Sequence, residues 1–127
     1  MRYFLPWVDR QTLGAYILSF DVLLIPASGA QIGNSPSKMF EYLASGVPIV
    51  AANTEVISEV LSHEHNSLLV DYKNPQAWAD AINKVVFNRV LASRLIECAR
   101  VDARKYTWDR RGADIVDFIR RSVPVSV

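Results

Sequence analysis

The sequence predicts an α/β fold built on a parallel sheet, and three observations carry that prediction. Short apolar runs at Asp21–Pro26, Val47–Ala52 and Ser67–Val70 are continuous rather than alternating, as in strands covered on both faces. Helical patterns separate these runs, and short strands alternating with helices imply right-handed βαβ units with helices on both faces of the sheet. Finally, 127 residues with 50% hydrophobic and 21% charged content make one domain able to bury a core, not a disordered chain.

The elements follow in order. Tyr3–Leu5 is a short strand candidate, stopped by Pro6. Asp9 is an N-cap for a helix over Arg10–Phe20, with Leu13, Ile17 and Leu18 on one side. Asp21–Pro26 is the next strand. A loop with two glycines then leads to Ser35-Pro36, an N-cap followed by proline at the first helical position. That helix ends at Gly46, the usual C′ residue. On it, Pro36, Phe40, Leu43 and Ala44 are the expected core stripe, which leaves Glu41 on another face near Ser37, Lys38 and Ser45.

After the strand at Val47–Ala52, Thr54 caps a short helix through Leu61, and Ser67–Val70 is a further strand. Asn74-Pro75 starts a helix with Trp78, Ile82, Val85 and Val86 on one face. Another runs from about Val90 to Tyr106, with Leu91, Leu95 and Ala99 in register. Thr107 caps the last, whose apolar stripe is Trp108, Ile115, Val116 and Ile119. The expected organisation is one partial domain over 1–122, ending in several helices, and a tail over 123–127.

Charge and cysteine content narrow the function. Fourteen basic residues against thirteen acidic give +1, so no nucleic-acid partner is expected. The late basic cluster from Arg100 to Arg121 is interleaved with Asp102, Asp109, Asp114 and Asp117, as on solvated helix faces. The single Cys98 excludes an intramolecular disulfide framework and reads as a small half-buried thiol. No apolar run reaches the roughly 18–20 residues of a membrane span, and Met1–Trp7 is too short for a secretory signal. The expected compartment is the cytoplasm, a site peripheral to a membrane included. His63 and His65 bracket Glu64, but a metal site needs three or four ligands, and no metal is expected. Trp78 and Trp108 sit on core stripes and are expected to pack, while Trp7 is left open.

In open parallel sheets, ligands bind at the carboxyl ends of the strands, which directs attention to the segment from Pro26 to Gly46. Gly29 and Gly33 are three residues apart and Asn34 follows, so this is no P-loop, and a GxGxxG fingerprint is absent. Phosphate can still meet the free amides and positive dipole end of the helix beginning at Pro36. Ser35 can cap that helix or meet a phosphate oxygen. Glu41 can accept hydrogen bonds from two neighbouring sugar hydroxyls, or it can pair with Lys38 on the surface.

The run Asp21-Val22-Leu23-Leu24-Ile25-Pro26, followed by Ser35-Pro36-Ser37-Lys38-Met39-Phe40-Glu41-Tyr42-Leu43-Ala44-Ser45-Gly46-Val47-Pro48-Ile49-Val50-Ala51, resembles the group 1 glycosyltransferases of GT-B fold. Asn66–Val70, Asn74-Pro75, Trp78–Ile82 and Tyr106-Thr107-Trp108 match in order and spacing, so the resemblance covers about Tyr3 to Ile119. It implies a Rossmann-like domain, the later part of the family's C-terminal half. It also implies retaining transfer of a sugar from a nucleotide-sugar to a glycan, lipid or small-molecule acceptor, as in carbohydrate biosynthesis. The donor is then a substrate, and no cofactor is implied.

Residue by residue, Glu41 matches the second glutamate of the family's Glu-x7-Glu motif, which holds the donor ribose. Ser35, Pro36, Ser37 and Lys38 match the part facing the donor diphosphate. The loop from Ala27 to Gly33, with Asn34 beside it, matches the neighbourhood of the donor sugar. The first glutamate's place is taken by Gly33. Nothing matches the family's acceptor domain or the first strands of its donor domain, so catalytic residues are not assigned and the chain alone is expected to be inactive. Two alternative readings stand beside this one. The first is a non-catalytic truncated module or a partner subunit that completes a split enzyme, its partner being the missing N-terminal half or another chain. The second is part of a sugar-nucleotide epimerase.

Overall fold

The structure, a computed structural model, describes residues 3–27 and 36–122. Its elements run α1 (Arg10–Ser19), β1 (Leu23–Ile25), α2 (Lys38–Ser45), β2 (Ile49–Ala52), α3 (Glu55–Ser58), β3 (Leu68–Val70), α4 (Pro75–Phe87), α5 (Arg89–Ala103), a 3₁₀ turn (Arg104–Tyr106) and α6 (Trp108–Ser122). The expected α/β class with a parallel sheet is what forms. The sheet has the order β1-β2-β3, with Leu24 opposite Val50 and Val50 opposite Leu68.

Local chemistry explains the boundaries. Asp9 accepts the Thr12 N–H and opens α1, Thr54 accepts the Ile57 N–H at α3, and Asn74 accepts the Gln76 and Ala77 N–H groups at α4. Each supplies an oxygen to amides that have no partner within the helix. Gly46 ends α2 with φ of 80°, a left-handed geometry that glycine adopts without the Cβ penalty. The Arg100 guanidinium lies where a side chain at Gly46 would go, so α5 is seated on the end of α2.

Two apolar layers sandwich the sheet. On one face Ile25, Ile49 and Ala51 meet Met39 and Leu43 of α2 and Ala99 of α5. On the other, Val50 and Leu68 meet Ala81 and Val85 of α4 and Leu91 and Leu95 of α5. Trp78 packs against both clusters, as its place on the α4 stripe predicts.

Several expectations need correction. Tyr3–Leu5 forms no strand and is exposed. β1 is not covered on both faces. Leu24 shares a face with Val50 and Leu68 but remains 39% exposed, because the α4 cluster that buries those two does not extend over it. Leu13 and Leu18 of α1 are exposed, and only Ile17 is buried there. The helix at Pro36 begins at Lys38, preceded by a turn in which Met39 N–H donates to Pro36 C=O at 3.0 Å. Its core residues are Met39 and Leu43, with Ala44 exposed and Phe40 half-buried. A helix starting two residues later than expected does not alter its turn per residue, so the difference lies in where the neighbours stand: Phe40 meets Tyr106, ring centroids 5.2 Å apart, and Ala44 faces a groove.

The Val90–Tyr106 helix passes into the 3₁₀ turn after Ala103. The last helix forms, but no residue of α6 is buried, and Trp108 is 85% exposed rather than packed. Asp102 is the exception to the solvated charged cluster, being only 8% exposed.

Candidate donor-binding site

The geometry of α2 decides what its residues can do. Met39 and Leu43 point into the core, and Phe40 rests against Tyr106. Glu41 is thereby turned to the opposite side. There it lines an open groove of about 320 Å³ with Ala44 and Ser45, faced by Arg10, Leu13, Gly14, Ile17 and Leu18 of α1. Ser45 closes the end of the helix, its hydroxyl donating to Tyr42 C=O at 2.7 Å and accepting the Val47 N–H at 3.1 Å.

Glu41 is exposed and makes no hydrogen bond or ion pair among the described residues. The Lys38 partner that a surface reading of Glu41 requires is not engaged. The Glu41 charge is felt next door: burial first, and then the Glu41 carboxylate, push the Tyr42 phenol above its ordinary value. An unengaged carboxylate on a groove wall can accept two hydrogen bonds from adjacent hydroxyls without breaking an existing contact.

Of the other residues expected at this site, Ser37 and Lys38 are exposed and Pro36 half-buried at the start of α2. The structure thus brings Pro36, Ser37, Lys38 and Glu41 together on one helix start. Gly33, Asn34 and Ser35 lie outside the described residues, as does most of the loop from Ala27 to Gly33. Sequence reasoning missed Arg10, which brings a fixed cation to the groove that Glu41 lines. Its only sequence signal is its place directly after the Asp9 cap, which reads equally as an ordinary first turn.

A second polar cluster lies elsewhere. The Asp102 carboxylate accepts from Asn66 Nδ2 at 3.0 Å and Lys105 Nζ at 2.7 Å, and it lies 2.9 Å from His65 Nε2. Burial raises the Asp102 carboxyl, but the bonds from Lys105, Asn66 and His65 outweigh it, and the net direction is below its ordinary value. Asn66 also accepts the Ser62 N–H at 2.8 Å and donates to Val60 C=O at 3.2 Å. His65 therefore has a partner that its sequence neighbourhood does not reveal. Among the described residues no His, Cys, Asp and Glu group is arranged to hold a metal, and no helix is long and apolar enough to cross a membrane.

The groove and fold can be set beside known proteins. Residues 2–102 match the family profile "Glycosyl transferases group 1". The chain is similar to a D-inositol 3-phosphate glycosyltransferase of a Nocardioides species, 29% identical over 94% of this chain and 25% of that protein. It thus spans about a quarter of the length of the curated relatives it matches. Its fold is similar to part of sucrose-phosphate synthase from Thermosynechococcus elongatus, with a TM-score of 0.78 and 20% identity over 94% of this chain and 29% of that one. It is similar also to part of Anabaena HepE solved with UDP-glucose, with a TM-score of 0.74 and 16% identity over 84% of this chain and 29% of that one. With more than half of its residues matched by the profile, the chain belongs to the group 1 glycosyltransferase family.

Proposed function

We propose that this chain supplies the donor-binding part of a glycosyltransferase, holding a nucleotide-sugar whose sugar passes to a glycan, lipid or small-molecule acceptor. The observation that carries the reading is Glu41: a carboxylate with no hydrogen bond or ion pair among the described residues, one turn inside the helix that follows the first strand of a parallel sheet. Glu41 would hold the ribose hydroxyls. The start of α2, at Ser37 and Lys38, would meet the diphosphate, with Ser35 and the Gly33-Asn34 loop beside it. The HepE complex with UDP-glucose supports this class of ligand on the same fold.

A fixed positive charge is needed where negative charge develops on a leaving diphosphate, and one helix terminus with Lys38 offers a fraction of it. We therefore expect binding without turnover from the chain alone, the remaining groups coming from polypeptide outside it.

The test is calorimetric titration of the purified chain with UDP, GDP and ADP, repeated with Glu41→Ala. The expected result is weak binding of one nucleotide, with Kd of about 0.1–1 mM, lost in the variant. Retained affinity in Glu41→Ala would remove Glu41 from the site. No binding to a folded chain would place the donor site in other polypeptide and favour a non-catalytic module. Measurable sugar transfer by the chain alone would overturn the division of labour.

A further inference from the structure

The turn from Ser62 to Ser67 carries two histidines, and they respond to a proton in opposite senses. His63 is exposed, and its Nδ1 lies 3.0 Å from the amide nitrogen of Leu69, the middle residue of β3. A backbone N–H can only donate, so Nδ1 holds a lone pair and the ring proton sits on Nε2. An imidazolium carries a proton on both nitrogens. A second proton at Nδ1 therefore sets donor against donor, and the bond to Leu69 is lost.

His65 is the reverse case. Its Nε2 lies 2.9 Å from an Asp102 oxygen. A carboxylate only accepts, so Nε2 donates, and it does so as imidazole and as imidazolium alike. The Asp102 carboxyl is held below its ordinary value, so it remains an acceptor in mild acid. Asn66 ties the same side of the turn without a titrating atom: it accepts the Ser62 N–H and donates to Asp102 and to Val60 C=O. A proton thus removes a bond on the β3 side of the turn and none of these on the α5 side.

The charged groups around His63 are few. On its own turn, the Glu64 carboxylate stands 4.0 Å from Nε2. From α4, Lys84 Nζ holds that carboxylate at 2.8 Å, and from α5 the Arg94 guanidinium reaches Glu64 C=O at 3.5 Å. β2, on the far side of β3, carries no charged residue.

We propose that His63 is an acid-released latch: protonation of Nδ1 frees the Leu69 amide and lets the turn swing off the edge of β3, while His65 and Asn66 keep its other side on α5. The latched form covers an edge N–H, and the released form presents it to solvent or to another strand. The change falls between about pH 8 and pH 5, where histidine side chains change charge.

Amide hydrogen exchange followed by NMR on the full 127-residue chain tests this, each rate being divided by its intrinsic value at the same pH. Protection of Leu69 should fall by about tenfold from about pH 8 to about pH 5. Val50 and Ala51 in β2 should keep theirs, and the Asn66 side-chain amide signals should stay in place. His63→Asn substitutes a non-titrating oxygen for Nδ1, so Leu69 should be protected equally at both pH values. His63→Ala should leave Leu69 weakly protected at both. His65→Gln, which keeps a donor toward Asp102, should leave the pH response intact. Constant protection of Leu69 in the wild type overturns the latch. A pH response that persists in His63→Asn, or disappears in His65→Gln, overturns the assignment to His63. Loss of protection that spreads to Val50 and Ala51 at the same pH overturns the local swing and marks general unfolding.

Discussion

The two edges of the sheet are built on opposite plans. At β3 the chain closes its own edge. The turn from Ser62 to Ser67 folds back beside the strand, His63 forms a bridge with Ser67, and His63 Nδ1 accepts the Leu69 N–H at 3.0 Å. Behind that turn, Asn66 and Asp102 tie the loop to α5. At β1 nothing comparable exists among the described residues: the strand pairs only with β2, and Leu24 stands partly in solvent. The side with β3 satisfies its polar groups internally. The side with β1, α1 and the exposed face of α2 leaves a carboxylate, a cation and apolar surface available. Internally paired and unengaged polar groups therefore lie on opposite sides of one small sheet.

The largest expected effect separates the two sides directly. Leu95 is fully buried in the α4–α5 layer, so Leu95→Ala should cost about 3 kcal/mol, the range for deleting buried aliphatic carbons. Leu24→Ala, on the sheet face that this layer packs against but itself partly exposed, should cost under about 1 kcal/mol. Urea denaturation measures both, and similar losses would show that β1 is held as firmly as β3.

Next comes the lock itself. Asp102→Asn keeps the shape but loses the carboxylate on which three donors converge, and should cost about 2 kcal/mol. The pH dependence follows in sign. The Asp102 carboxyl lies below its ordinary value, so its stabilisation is complete above about 3.9, the unfolded value, and is lost as pH falls through the lower folded value. Lys105 is raised by its hydrogen bond and charge pairing with Asp102. Its share persists until pH rises beyond about 10.4, its ordinary value, and through the folded one. Stability curves of wild type and Asp102→Asn should therefore run parallel near neutrality and converge in acid; a constant gap down to pH 2 would assign the loss to packing.

The smallest effect sharpens the account of the β3 turn. Glu64 has φ of 58°, left-handed backbone for a residue with a Cβ. Its side chain pairs with Lys84 at 2.8 Å, and that pairing, by hydrogen bond and charge, holds the Glu64 carboxyl below its ordinary value. Glu64→Gly relieves about 1–2 kcal/mol of backbone cost. It loses the solvent-exposed pairing with Lys84, a minor contribution, and about 0.5–1 kcal/mol through the freer unfolded chain. A net gain of about 0.5 kcal/mol, seen as a higher thermal midpoint, is expected. A clear loss would show that Lys84 holds the turn.

What the sequence made legible is mostly local. Asp9, Thr54 and Asn74 cap helices with their own side-chain oxygens, and Gly46 supplies its own left-handed turn, so those boundaries could be read without neighbours. The continuous runs at Leu23, Ile49 and Leu68 became the parallel strands. Burial was less legible because it belongs to the environment. Tyr3–Leu5 and the α6 stripe have apolar residues in suitable patterns, yet no described element covers them. His65 and Asp102 meet across a long stretch of chain that no short motif spans. At the site, Glu41 could be singled out from its face and from resemblance, whereas Arg10 enters only because α1 lies across the groove.

The imidazole of His63 on the Leu69 amide has one more consequence. A sheet stoppered at one margin has a direction of growth. An additional strand would meet an open ladder beside β1, whereas beside β3 it would first have to displace the 62–67 turn. There a ring nitrogen already occupies the place a neighbouring carbonyl would take.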